Sequence, residues 1–309
     1  MSSLSLYLLR RVALTIPTLA GVTIIIFLLI RLIPGDPARV IAGLTASDEE
    51  VRRIRVELGL THPLHVQYGI FLNQLLRGNL GTSAVTRAPV AEEIRLRLGA
   101  TVGLAASSIV VATLFGLFAG IISATRQYSM LDYLIMSMAL FGVSIPVFWL
   151  GLMLMLLFSV YLGWLPAGGF GGPASFVLPT IALAAFSVAI IARMTRSSLL
   201  ETFNQDYVRT ARAKGVGETA VTLRHALRNA LIPILTVIGL QFGALLGGAI
   251  LTETTFAWPG IGRLLVNAIS SRDYPVIQGI VLMFALVYAA INVIVDVLYV
   301  YVDPRIHYG

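Results

Sequence analysis

Apolar residues in this chain come in unbroken runs, without the three-to-four spacing of a surface helix or the alternation of a half-buried strand. Crossing the hydrocarbon core of a bilayer takes about 20 such residues in a helix. Six segments qualify: Val12–Ile30, Gly99–Ala124, Leu134–Leu162, Phe176–Ala192, Leu231–Leu251 and Val276–Val302. The pattern predicts an all-α polytopic membrane protein with six transmembrane helices. In the first segment the apolar run exceeds that of a secretory signal and no A-x-A site follows, which favours an uncleaved anchor. The third is too long for an upright helix and contains Pro146, so a kinked, tilted helix is expected there.

Polar stretches between these runs predict the topology. Arg10 and Arg11 precede the first segment, Arg126 follows the second, and Arg193, Arg196, Arg209, Arg212, Lys214, Arg224 and Arg228 lie in or beside the break between the fourth and fifth. The loop WLPAGGFGGPAS has no basic residue, and the stretch from Thr254 to Pro275 has only Arg263 and Arg272. Basic residues mark the cytoplasmic side, so both termini and the 193–230 insert are expected there. Residues 32–97 then form an extracytoplasmic cap. Within it Ser47 and Glu50 have capping-box spacing, Val51, Ile54 and Leu58 share a helical face, and Gly59 suits a stop. A second helix is expected over LHVQYGIFLNQLLRG, ending at Gly78. The expected organisation is 1–31 as cytoplasmic end and first helix, 32–97 as cap, 98–302 as a five-helix core holding the 193–230 loop, and 303–309 as a cytoplasmic tail.

Composition agrees: 57% of residues are hydrophobic and 12% charged, against about 25% charged in soluble domains. The net charge of +7 fits the cytoplasmic bias of Arg and Lys, and no basic cluster is interleaved with aromatics, so nucleic acid is set aside as a partner. Without cysteine there are no disulfides and no thiolate metal sites. His62 and His65 lack the acidic company a zinc site needs, no metal site is expected, and neither H-E-x-x-H nor G-x-S-x-G occurs. No catalytic residues are expected. Lys214, the only lysine, is followed by Gly215 where a phosphate-binding loop needs Ser or Thr, so ATP would have to be used by another subunit.

Some residues inside the runs invite a reading. Gly116 and Gly120, and Gly239, Gly243 and Gly247, have the spacing that lets helices approach closely, and packing within one bundle is preferred over a subunit seam. A translocation path lined by the fifth segment is the sharper alternative, with Gln241, Gly243 and Glu253 as its candidates. For Glu253 a solvated carboxylate at a helix end is the commoner case and the preferred reading. Asp296, with Asn292 one turn earlier, is the clear intramembrane acid, and a structural partner among Arg10, Arg11 and Arg126 is preferred over a proton relay.

The insert itself, QDYVRTARAKGVGETAVTLRHALRNALIP, reads as helix, turn, helix. Asp206 falls in a first turn, small Thr210, Ala211 and Ala213 allow close approach, and Gly215 and Gly217 break the helix. Lipid binding and simple charge bias are the plain explanations. The small residues fit a helix seated in a protein groove better.

Here the chain resembles the membrane subunits of ABC importers, whose cytoplasmic signature runs E-A-A-x-x-x-G, nine residues, then I-x-L-P. Aligned on Gly215, Arg209-Thr210-Ala211 stand for the first triplet and His225-Ala226-Leu227-Arg228 for the last. This spelling is typical of the dipeptide, oligopeptide and glutathione branch, as are IPGDPAR (Ile33–Arg39), LRGNLGTS (Leu76–Ser83), FAWPGIGRLL (Phe256–Leu265) and DPRIHYG (Asp303–Gly309). TRAPVAEEI (Thr86–Ile94) and SSRDYPVIQ (Ser270–Gln278) look closest to glutathione and dipeptide importers. The resemblance implies a type I importer permease fold in a bacterial or archaeal cytoplasmic membrane. It also implies a homologous second permease, two ATPase subunits that bind ATP and magnesium, and an extracytoplasmic binding protein. No cofactor would be bound by this chain. On the same footing, Asp206, Tyr207, Arg209, Thr210, Ala211, Arg212, Ala213, Lys214, Gly215 and His225 would couple to an ATPase. Relatives that move nickel or other small solutes, and an ATP-independent carrier or channel, are the alternatives.

Overall fold

The computed structural model describes residues 3–32, 36–43, 46–57 and 59–302, and the side chains of 3–12, 29–32, 37, 40, 41, 57 and 295–302 lie outside that description. Among the described residues the regular structure is helical apart from one antiparallel bridge between Thr82 and Pro89. The elements are α1 (Ser3–Leu32), α2 (Pro37–Ala42), α3 (Asp48–Glu57), α4 (Leu64–Leu76), α5 (Val90–Thr125), α6 (Met130–Ser144), α7 (Val147–Leu154), α8 (Pro173–Phe203), α9 (Asp206–Ala213), α10 (Glu218–Ala220), α11 (Leu227–Thr255), α12 (Ile261–Ser270) and α13 (Tyr274–Val302). Wide π-type turns extend α7 through Tyr161 and join α10 to α11 over Val221–Ala226.

Among the described residues four helices, Val90–Thr125, Pro173–Phe203, Glu218–Thr255 and Tyr274–Ile294, are long and apolar enough to cross a membrane, and the pair Met130–Ser144 and Val147–Tyr161 makes a fifth span if counted as one. The described apolar part of the first segment is Ala13–Leu28. Phe115, Phe118, Met138 and Phe141 are each more than 60% exposed, a surface suited to lipid and not to water. The third segment departs from expectation. Its two helices meet at 104°, far beyond a kink, with Ile145 in extended backbone and Pro146 capping α7. Proline supplies no N–H and disfavours helix at the residue before it, so the helix stops there.

One compact unit comprises residues 1–101 and 259–290. The expected capping box forms: Ser47 N–H donates to Glu50 at 2.9 Å and Glu50 N–H to Ser47 Oγ at 3.3 Å. Gly59 then takes a left-handed φ of 66° to end the turn. The rings of Phe27, Tyr68 and Phe71 cluster at 5.2–6.3 Å between α1 and α4, and the Tyr68 and Thr23 hydroxyls lie 2.8 Å apart. The loop before α5 is tied to the start of α13 by buried Asp273, which accepts bonds from Ser83 Oγ and the N–H groups of Ala84 and Val85. Buried Glu93 takes the Thr86 hydroxyl and pairs with Arg97 at 3.2 Å.

The second unit comprises residues 102–258 and 291–309. Helix α8 lies at its centre, with over half of its apolar window enclosed, against 28% or less in the other spans. Gly116 and Gly120 let α5 press onto it. A Cβ at Gly116 would stand 2.7 Å from Ile191 Cγ2, and one at Gly120 2.6 Å from the Ala192 carbonyl. These glycines therefore pack within one bundle, as expected. Trp258 is wedged edge-on between Phe170 and Phe176, with centroids at 4.8 and 4.5 Å.

Candidate functional site

Within the second unit the insert folds as the expected helix, turn and helix. Val208, Ala211 and Val221 are buried against Phe203 and Val216, forming a seam that fastens α9 to the chain leading into α11. Full burial of a valine side chain contributes about 1.5–3 kcal/mol, so two of them hold the hairpin as one piece. Gly215 turns the chain with a φ of 78°, where a side chain would be strained.

The seam sorts the candidate residues by face. Asp206, Tyr207, Arg209, Thr210, Arg212, Ala213, Lys214 and Gly215 are exposed. Ala211 is not; it faces inward, so it shapes the surface without presenting a contact. Thr210 Oγ1 returns to the Asp206 carbonyl at 2.9 Å, which leaves α9 a smooth outer face. Arg209 lies 3.6 Å from Asp206, a loose exposed pair of small energetic weight. Arg212 donates twice to Glu218, at 2.8 and 3.1 Å, bracing the turn, and its guanidinium lies 5.6 Å over the Phe203 ring. On the other flank, Asn229 Nδ2 donates to the Tyr207 hydroxyl at 2.7 Å. Tyr207 and half-buried His225 line a groove of about 1080 Å³ with Gln205, Arg224 and Arg228.

The candidates for a translocation path are less accessible. Gln241 donates to Ser187 Oγ at 3.3 Å and so helps join α11 to α8. Gly243 is buried, whereas a Cβ at Gly247 would meet nothing within 4 Å, so Gly243 and Gly247 do not share one packed ridge. Glu253 is fully buried, which corrects the reading of a solvated helix end. The chain turns at Ala257 with a φ of 52°, and the Trp258 N–H returns to the Glu253 carbonyl at 2.8 Å, carrying bulky buried residues over the last turn of α11. Asn292 is half-buried, and the side chains of Asp296, Arg10 and Arg11, like all of 303–309, lie outside the described residues. A separate groove of about 840 Å³ among α5, α6 and α8 is lined by apolar groups and Thr180, whose hydroxyl is 2.9 Å from that of Ser107. It offers no reactive group.

One acid was missed in the sequence. Asp132, 2% exposed, binds Arg196 through Nε and Nη2, both at 2.8 Å. Its partner stands 64 residues away, so spacing gave no hint. Only Ser129, three residues earlier, marks Asp132 as a first-turn residue, and the Ser129 hydroxyl does cap α6.

Models of known families match most of the chain. Binding-protein-dependent transport system inner membrane components match residues 116–308, and the N-terminal part of such membrane components matches 4–105. A dipeptide transport system permease of Alkalihalophilus pseudofirmus is 48% identical over 98% of this chain and 99% of its own length. A glutathione transport system permease of Salmonella typhimurium is 49% identical with the same coverage. Among solved structures, an inward-facing methionine ABC transporter chain superposes with a TM-score of 0.60 at 16% identity, covering 68% of this chain and 96% of the other; it supports the fold alone.

Proposed function

Because this chain belongs to the family of binding-protein-dependent transport system inner membrane components, we propose that it is a permease subunit of an ATP-driven importer for short peptides. The relatives named for dipeptide and glutathione transport support the cargo class. On this reading α1, α5, the α6–α7 pair, α8, α11 and α13 form six spans with both termini in the cytoplasm, and residues 32–97 form a cap outside. A homologous second permease completes the path, two ATPase subunits bind ATP and magnesium, and an extracytoplasmic binding protein delivers cargo. This chain performs no hydrolysis.

The observation that carries the proposal is the construction of α9. Its outer face is exposed, basic and lined by small Thr210 and Ala213, with Gly215 in the turn that follows, while its inner face is locked to the chain leading into α11 by Val208, Ala211 and Val221. A helix free on one side and rigidly fastened on the other suits transmission of a push. ATP-driven closure of a partner around α9 would move the hairpin as a body and bias the spans between inward- and outward-open states.

The test is Ala213→Glu in the assembled importer, reconstituted in vesicles with peptide and binding protein. The methyl group is exposed, so the chain should fold and recover normally, whereas a longer acidic side chain should obstruct a partner's cleft. Peptide uptake should fall about tenfold or more, the scale of a typical energetic coupling between sites. Unchanged uptake with normal assembly would refute the role of α9. A wild-type chain that purifies without any ATPase partner, and moves solute without ATP, would favour the carrier reading.

A further inference from the structure

The carboxylate of Asp132, carried on α6, collects donors from two other helices and one turn. Ser123 Oγ near the end of α5, the Tyr128 N–H in the α5–α6 turn at 3.0 Å, and both Arg196 nitrogens from α8 bind it, while the Asp132 N–H itself is capped by Ser129. Tyr128 adopts a left-handed φ of 62°, unusual for a side-chain-bearing residue, and its bonded N–H helps hold that turn. A buried ion pair is a poor means of adding stability, because the desolvation of both charges offsets their attraction. What the pair does supply is direction. The planar guanidinium fork accepts one orientation of the carboxylate, and the remaining donors admit no other.

This joint sits beside the insert. The turn that Asp132 holds contributes Arg126, Gln127 and Ser129 to the lining of a cavity of about 1070 Å³, which Asn204, Arg212 and Glu218 line as well. Arg196 precedes Phe203 by seven residues on α8, about two turns, and Phe203 lies beneath the Arg212 guanidinium. Two residues, Asn204 and Gln205, then join α8 to α9. A contiguous route of contacts thus runs from the braced hairpin, along α8, to the ends of α5 and α6.

We propose that Asp132 and Arg196 are positioning residues for energy transfer, clamping the ends of α5 and α6 to α8 so that displacement of the insert moves all three helices together. The inference rests on the transport reading above. Without the clamp, the hairpin would still be engaged and ATP would still be hydrolysed, but movement would dissipate in a loosened α5–α6 turn.

The experiment uses the whole importer in vesicles and measures peptide taken up per ATP hydrolysed for Asp132→Asn, Arg196→Lys and the double variant Asp132→Asn/Arg196→Gln. The expected result for Asp132→Asn is a fall in that ratio of about fivefold or more, within the usual span of coupling energies, with hydrolysis and complex recovery near wild type. Arg196→Lys keeps the charge without the fork and should fall in between. If the single variants do not assemble, the double variant, in which amides replace the ion pair, carries the same measurement. An unchanged ratio, or uptake and hydrolysis falling in step, overturns the proposal. So does failure of all three to assemble, which assigns the pair a structural role alone. Absence of ATP-driven uptake in the wild-type complex would instead refute the transport reading.

Discussion

Gly120→Ala adds a single methyl group, and the structure says where it would go. The new Cβ would stand 2.5 Å from Thr195 Cβ, 2.9 Å from Thr195 Cγ2 and 2.6 Å from the Ala192 carbonyl oxygen. Thr195 could swing its Cγ2 aside, but its Cβ is fixed to the α8 backbone and, like the carbonyl, moves only with the helix. Restoring an ordinary carbon–carbon separation of about 3.5 Å from Thr195 Cβ requires α5 and α8 to part by about 1 Å. A gap of that size forfeits about a quarter to a half of the dispersion energy of each contact it opens. Overpacking costs about 1–3 kcal/mol, and the upper part of that range applies where backbone is the obstacle. Replacing glycine in a helix returns about 1 kcal/mol, so the net loss should be about 1–2 kcal/mol. Gly247→Ala is the matched control. It makes the same chemical change in α11, but the new methyl meets nothing within 4 Å, so neutrality or slight stabilisation is expected. Thermal unfolding of the two variants in one mild detergent, followed by tryptophan fluorescence, should separate them by about 2–8 °C, taking 2–4 °C per kcal/mol. Gly120→Ala melting with or above Gly247→Ala would refute the close α5–α8 crossing.

Three further outcomes follow from the same geometry. Asp273→Asn should loosen the loop around Ser83 by about 1–3 kcal/mol, because a buried carboxylate that accepts three bonds loses its charge; trypsin should then cleave at exposed Arg87 faster than in the wild type. Ser47→Ala removes the cap of α3 and should speed amide hydrogen exchange in its first turn with no effect on α11. The same cap is pH-dependent: bonds from Ser47 hold the Glu50 carboxyl below its ordinary pKa of 4.5, so its support for α3 is present above about that pH and lost as pH falls through the lowered value. Exchange in α3 that stays constant from neutral pH to pH 3, after correction for intrinsic rates, would contradict it.

Much of this protein was legible in one dimension. Runs of apolar residues announce spans because the bilayer demands about 20 of them in succession, whatever the neighbours. Ser47, Glu50 and Gly59 mark the limits of α3 because capping is settled within four residues. The insert's division at Gly215 is equally local, resting on a backbone conformation that glycine favours. The motif strings around it likewise point to the family that comparison bears out.

Which residues face one another was a different matter. Ala211 and Ala213 are the same residue two positions apart, and only the packing of Val221 against α9 turns one inward and leaves the other out. Glu253 resembled a solvated helix end until the turn at Ala257 covered it. Proline at 146 marked an interruption that the sequence read as a kink, and only the structure shows the two helices meeting there at 104°. Asp132 and Arg196 carry no mutual signal along the chain, since 64 residues separate them. Local chemistry is set by neighbours in sequence and can be read there. Burial and ion pairing are set by neighbours in space, which the chain acquires only when α5, α6 and α8 come together.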